Sequence, residues 1–241
     1  MPTTDGGETV AGRLLRGDNL QDLSPADVEK LMQKFGLTTV VDLRSAFELA
    51  SEGPAPLDSV PGVRHLHHSI VPEVGASAEV VAAALLARRE ADLLRYPSDH
   101  WCGHYLGYLE KRPGEVIDAM RSIARSAGAV IVHCAAGKDR TGVIVALALS
   151  TAGVAHEAIV ADYVATGERS EAILARLLAS PTYHDDVSKL PAAAHMPRAE
   201  TMTGFLTEVD ARHGGARNWL AGHGFTDEDR SLLYAKLRVP A

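Results

Sequence analysis

Val130-Ile131-Val132-His133-Cys134-Ala135-Ala136-Gly137-Lys138-Asp139-Arg140-Thr141-Gly142 is the stretch on which the reading of this chain turns. A short β-branched run ends in His-Cys, small residues follow, and Arg-Thr-Gly opens an apolar stretch. That order predicts a central strand over Ala129–Val132, then a loop, then a helix over Thr141–Thr151. A loop that enters a helix N-terminus gathers unpaired backbone N–H groups into one concavity, and the helix dipole adds partial positive charge. Ala135, Ala136 and Gly137 let the backbone close around an anion. Arg140 adds a planar fork able to grip two phosphate oxygens. Cys134 stands at the head of the loop, where the dipoles that hold an anion also stabilise a thiolate. Anion site and nucleophile thus draw on the same groups. Thr141 can offer its hydroxyl to the sulfur or cap the helix, and His133 is placed to fix the loop backbone. An inert buried Cys beside a surface Arg would need none of this surrounding pattern. A Walker loop is excluded, because Asp139 follows Gly137-Lys138 and no earlier glycine stands at the required spacing.

Working outward, Ser24-Pro25-Ala26-Asp27 opens a helix that Gly36 ends. Thr38–Leu43 reads as a buried strand and Val63–Ile70 as a second one. Helical patterns cover Glu79–Leu94, His100–Glu110 and Glu115–Arg125. Beyond the loop helix they cover Ala155–Ala165, Glu171–Leu178, Arg198–Ala211, Ala216–Ala221 and Thr226–Leu237. Three prolines break helical order between Pro181 and Pro197. Strands separated by helices give an α/β fold with a mostly parallel central sheet surrounded by helices. We expect residues 1–12 to be a tail and residues 13–241 to form a single catalytic domain.

The 46% apolar and 23% charged content is that of a globular chain with a sizeable core, which excludes disorder over most of its length. Acidic residues outnumber basic ones, 31 to 24, so nucleic acid is not the expected partner. Cys102 and Cys134 form neither a CxxC nor a disulfide framework, which suits a reducing compartment. The N-terminus has no basic and apolar leader, and the apolar run Val143–Ala155 is interrupted and too short to span a bilayer. The expected location is the cytoplasm, with no integral membrane segment.

The loop His133–Gly142 resembles the HCxxGKDRTG signature of cysteine-dependent protein tyrosine phosphatases of the bacterial tyrosine phosphatase B type. Val40–Ser45 with Glu48, Ala161-Asp162-Tyr163 and, more loosely, Gly222–Phe225 are similar to other parts of that family. The Asn-Phe-Arg-Asp segment with which its members often begin is not found here. The resemblance implies a phosphatase-like fold and hydrolysis of a phosphate monoester through a phosphocysteine on Cys134. Arg140 and the loop residues Ala135, Ala136, Gly137, Lys138 and Thr141 would hold the substrate. It also implies a general acid inside the loop, at Asp139, with Asp42, Asp58, Glu73 and Asp99 as the other candidates. Asp42 is read rather as a cap or as an orienter of the loop at the strand end. No metal or organic cofactor is called for. The expected partner is a phosphotyrosine protein, or alternatively a phosphorylated small molecule, a phosphoinositide or a phosphoserine/threonine protein. The helical C-terminal third, around residues 181–198, is expected to form a lid.

Lys138 adds charge beside the pocket, unless it faces solvent. Arg44 and Glu48 read as a surface i,i+4 pair rather than as groups behind the phosphate site. His65 and His67 share a strand face, but no carboxylate or Cys stands near them in sequence to complete a metal site. Cys102 reads as core, with oxidation to a Cys102–Cys134 disulfide as a further option. Two other classes compete with the phosphatase: a silent phosphate-binding module and a Cys-loop sulfur transferase. The first would usually lack the Cys, the Arg or the acid, and the second has no need of Arg-Thr-Gly.

Overall fold

The structure, a computed structural model, describes residues 1–71, 90, 93–96 and 99–239. At its centre lies a four-stranded parallel sheet of order β1-β4-β2-β3, formed by β1 (Leu14–Gly17), β2 (Leu37–Asp42), β3 (Arg64–His67) and β4 (Ala129–His133). The helices are α1 (Pro25–Glu29, continued by a π-turn Lys30–Lys34), α2 (Ala46–Glu52), α3 (His100–Lys111), α4 (Pro113–Ala124), α5 (Asp139–Thr151) and α6 (His156–Val164). They are followed by α7 (Ser170–Ala179), α8 (His184–Val187), α9 (Ala199–His213), α10 (Ala216–Gly222) and α11 (Asp227–Leu237).

Strand alternation divides the core in two. Val130 and Val132 of β4, with Val41 of β2, face the large helical core, while Ile131 and Val40 face a smaller one closed by Leu20, Leu37 and Leu57. A parallel strand buried on both faces is apolar throughout, as β4 is. Helix α5 runs through the large core and is apolar all round: every residue from Thr141 to Leu149 is buried. It packs on β1 and β4 and on α3, α4, α6, α10 and α11, which fixes the loop at its N-terminus from several sides.

The α/β class with a parallel sheet is as the sequence indicates, and most boundaries fall within a few residues of expectation. Three local differences bear on the site. β1 escaped notice, because four residues with Arg16 and Gly17 among them carry no strand pattern. α2 escaped notice too, although Ser45-x-x-Glu48 is a capping box: Glu48 Oε2 accepts from Ser45 N at 2.7 Å and Ser45 Oγ from Glu48 N at 3.2 Å. Between Pro181 and Pro197 the chain still makes the short helix α8 and a 3₁₀ turn, Ala192–His195. The helix expected over Glu79–Leu94 lies, apart from residues 90, 93 and 94, outside the described residues, as does Glu73.

Residues 1–12, expected as a tail, are clasped to the body. Thr3 bridges to Val154 and Thr9 to Arg238, and Asp5 takes a two-pronged ion pair from Arg238 at 2.7 and 2.8 Å. The Gly and Thr content that reads as slack permits the tight turns of this clasp.

Candidate active site

Strand β4 ends in His133-Cys134, and the chain then curls through Ala135-Ala136-Gly137-Lys138 into α5. The thiol of Cys134 is free and buried. What shapes the loop is the direction of its carbonyls. Ala135 O accepts from Arg176 Nη2 at 2.6 Å and from Asn19 N at 3.1 Å, and Gly137 O accepts from Arg16 Nη2 at 2.8 Å. The peptide bonds of the loop are trans, so each following N–H, of Ala136 and of Lys138, points away from those outer partners. The carbonyls are thus held on the rim, and the donors are turned to the opposite side. Arg16 is itself anchored to Asp162 at 2.8 Å and Arg176 to Asp18 at 3.1 Å.

Gly137 has φ 63°, in the left-handed region, and a Cβ there would lie 2.6 Å from Gly17 O and 2.8 Å from Asp18 N. Any side chain meets both a backbone penalty of about 1–2 kcal/mol and an immovable wall. Gly137→Ala should lower Tm by more than about 4 °C and reduce turnover beyond what the lost folded fraction explains. A melting curve and a rate measured well below Tm would check both, and an unchanged Tm would contradict this packing.

Arg140 is held by Glu48, with Nη1 to Oε2 at 2.6 Å and Nη2 to Oε1 at 2.8 Å. Burial opposes the charge on each, but their mutual attraction outweighs it, so Glu48 is held below the usual carboxylate range and Arg140 is raised further. The expected surface pair of Arg44 and Glu48 does not exist. Arg44 is buried and turns to Asp42, with Nη2 2.6 Å from Oδ2, and to Asn19 Oδ1 at 3.0 Å. Glu48 faces across to the loop because the capping box turns it there. Glu48→Gln should keep the shape but lose the paired charge, lowering kcat by about tenfold at little cost in Tm. Unchanged kcat would show that Arg140 finds its place without Glu48.

Asp42 also takes His133, whose Nε2 lies 3.2 Å from Asp42 Oδ2. Burial alone would raise the Asp42 carboxyl, but bonds from His133 and Arg44 hold it well below the usual range. Asp42 therefore orients the strand end, as its position implies, and His133 is part of the scaffold. Thr141 Oγ1 is buried and makes no hydrogen bond, neither to the sulfur nor as a helix cap. The N-cap position falls to Lys138.

Lys138 does not face solvent. Its Nζ donates to His195 O at 2.9 Å, lies 3.5 Å from Asp139 Oδ1 and sits 5.0 Å above the Trp101 ring. Asp139 Oδ1 accepts from Tyr105 Oη at 2.5 Å. Leu177 and Tyr183 pack on Ala135, with Ala136 and Ile173 beside them. Residues of α7, α8 and the 3₁₀ turn thus rest on the loop. Asp99, an alternative acid, is engaged as the cap of α3 and by Thr201 Oγ1 at 2.6 Å. Asp58 lies against His65 at 2.9 Å, at the far edge of the sheet. His65 and His67 bond to Leu57 O and Arg44 O, and no group of three metal-ligating side chains occurs among the described residues. Cys102 is buried beside Gly204, and burial pushes its thiol up to about 11, as befits a core residue.

Cys134, Asp139, Arg140 and the small loop residues are therefore gathered at one place. The supporting residues Arg16, Glu48, Tyr105, Tyr163 and Arg176 come from elements distant in sequence. Of these, Glu48 left a local signal in its capping box, and Tyr163 stands in the Ala161-Asp162-Tyr163 resemblance.

Comparison with known proteins agrees in direction. A Cupriavidus necator protein named as a tyrosine-protein phosphatase is 30% identical over 217 residues, covering 89% of this chain and 76% of its own. The Mycobacterium tuberculosis triple specificity protein phosphatase PtpB is 26% identical over 216 residues, covering 81% of this chain and 75% of its own. A tyrosine-protein phosphatase of Nostoc commune is 28% identical over 145 residues, 55% of this chain and 46% of its own. The sequence model of the tyrosine phosphatase family matches residues 1–239, and this chain belongs to that family.

Proposed function

We propose that the chain removes phosphate from phosphotyrosine through a phosphocysteine on Cys134. The observation that carries this reading is the carbonyl arrangement of the loop. With Ala135 O and Gly137 O tied outward by Arg176, Asn19 and Arg16, the N–H groups are oriented before substrate arrives. The Cys134 thiolate attacks phosphorus in line while the P–O bond to the leaving group breaks, its electron pair going to the leaving oxygen. The loop N–H groups of residues 135–140 and the Arg140 fork take the equatorial oxygens. Asp139 gives its proton to the leaving oxygen, and water then cleaves the S–P bond to release phosphate.

The chain acts in this reading as one catalytic domain over residues 13–241, with α7, α8 and the 3₁₀ turn as the cover of the pocket. Two free cysteines fit a cytoplasmic setting, and no helix among the described residues is long and apolar enough to cross a membrane. One relative is named for triple specificity. That name supports a phosphoinositide or phosphoserine/threonine substrate as the second reading.

The test is turnover of a phosphotyrosine peptide in EDTA, with acid quenching and mass analysis of Cys134. Phosphate release with a transient phosphate on Cys134 is expected, at a rate that EDTA leaves unchanged. Binding without release would instead favour a silent module. A panel with phosphoserine, phosphothreonine and phosphoinositide substrates would rank the substrate classes.

A further inference from the structure

Among the described residues, the hydrogen bond and the ion pair of Asp139 fall on the same carboxylate oxygen. Tyr105 Oη donates to Oδ1 at 2.5 Å, and the Lys138 ammonium lies 3.5 Å from the same oxygen. Behind Tyr105, its Oη lies 2.7 Å from Tyr163 Oη. Tyr105 comes from α3 and Tyr163 from α6, and both are almost fully buried. Phe205 of α9 packs edge-on to the Tyr105 ring at 6.1 Å, and Gly142 leaves room for Tyr163, whose ring would lie 3.0 Å from a Cβ at that position. Neither ring has room to turn away. Besides Lys138 and Asp139, among the described residues Arg16 of β1 and Asp99 at the head of α3 act on Tyr163.

Proton counting gives the chain a direction. A phenol has one proton to donate. With Asp139 ionised, Tyr105 commits its proton to Oδ1, so Tyr163 must donate to the Tyr105 oxygen. Burial above all, with the charge of Asp139, pushes both phenols up, so each keeps its proton.

We infer that Tyr105, backed by Tyr163, is the positioning residue for the acid step: it occupies Oδ1 of Asp139, so that the transferable proton sits on Oδ2. The inference rests on Asp139 as the general acid. When the P–O bond breaks, its electron pair goes to the leaving oxygen, which takes the proton from Oδ2. Tyr105 then steadies the carboxylate left behind.

The experiment compares Tyr105→Phe, Tyr163→Phe, Asp139→Asn and the double variant Tyr105→Phe/Asp139→Asn. Each is assayed on phosphotyrosine peptide and on p-nitrophenyl phosphate across pH. Tyr105→Phe should lower kcat on phosphotyrosine by about tenfold and the activated ester clearly less, as an ill-placed acid would. The ratio between the two esters should therefore widen, which a loss of folded protein alone would not produce. In the Asp139→Asn background the Tyr105 change should add almost nothing. Tyr163→Phe should widen the ratio in the same direction by less, and it carries the test if Tyr105→Phe does not fold. Equal slowing of both esters by Asp139→Asn would remove the acid reading and the inference with it. If Asp139→Asn spares the activated ester while Tyr105→Phe slows both esters equally, or adds in full to Asp139→Asn, only the inference falls.

Discussion

Cys134→Ser is expected to leave no measurable phosphate release, a loss of roughly 10⁴-fold or more, while orthovanadate or inorganic phosphate still binds. The two halves of the result have separate causes. In the proposed mechanism the anion is held by the N–H groups of a loop whose carbonyls are tied to Arg16, Arg176 and Asn19, and by Arg140, which pairs with Glu48. None of these involves the sulfur. Nucleophilic attack needs an ionised group, and dipoles sufficient for a thiol fall far short for a serine hydroxyl. Replacing one buried atom by a smaller one should leave Tm within a few degrees of wild type. Turnover of even a tenth of wild type would remove Cys134 as nucleophile, and loss of anion binding would mean that the loop does not stand without the sulfur.

Asp139→Asn should slow phosphotyrosine hydrolysis by about 10²–10⁴-fold, the span that general acid catalysis covers. The size of the effect should follow the leaving group. Phenolate and alkoxide leave badly without a proton, whereas p-nitrophenolate leaves more readily, so the activated ester should suffer clearly less. The dependence of rate on leaving-group acidity should steepen accordingly. Loop collapse would slow both esters alike, so the ratio between them separates chemistry from shape. In that case Asp42 and Asp99 are poor replacements, since one is engaged with His133 and Arg44 and the other caps α3.

The strand-loop-helix unit was legible because its signals are local: β-branched residues before Cys134, small residues after it and an apolar helix behind Arg140. Helix ends at Ser24, Gly36 and Thr226 were legible for the same reason, since caps act within one turn. The residues that hold the loop in shape were not. Arg16 and Arg176 reach its carbonyls from 121 and 41 positions away. Tyr105 lies 34 positions before Asp139 and reads as one more core aromatic of α3. Glu48 was misread for a specific physical reason. Arg44 and Glu48 stand four apart, but Arg44 precedes α2 and Ser45 is its N-cap, so the two never share a helix face. The capping box that should have corrected the pairing was present in the same residues.

The outward anchoring of the loop carbonyls separates arrival of the substrate from its conversion. The charges that shape the loop are short, partly buried pairs, which mobile ions reach poorly, whereas the field met by an approaching phosphate is that of a chain with a net charge of −7. Ionic strength therefore acts on the encounter, by screening repulsion between an acidic surface and an anionic substrate. The bound complex, once formed, is insulated from it. Such an enzyme keeps its intrinsic chemistry constant across media of different salt content, and the medium sets only how often that chemistry is called upon.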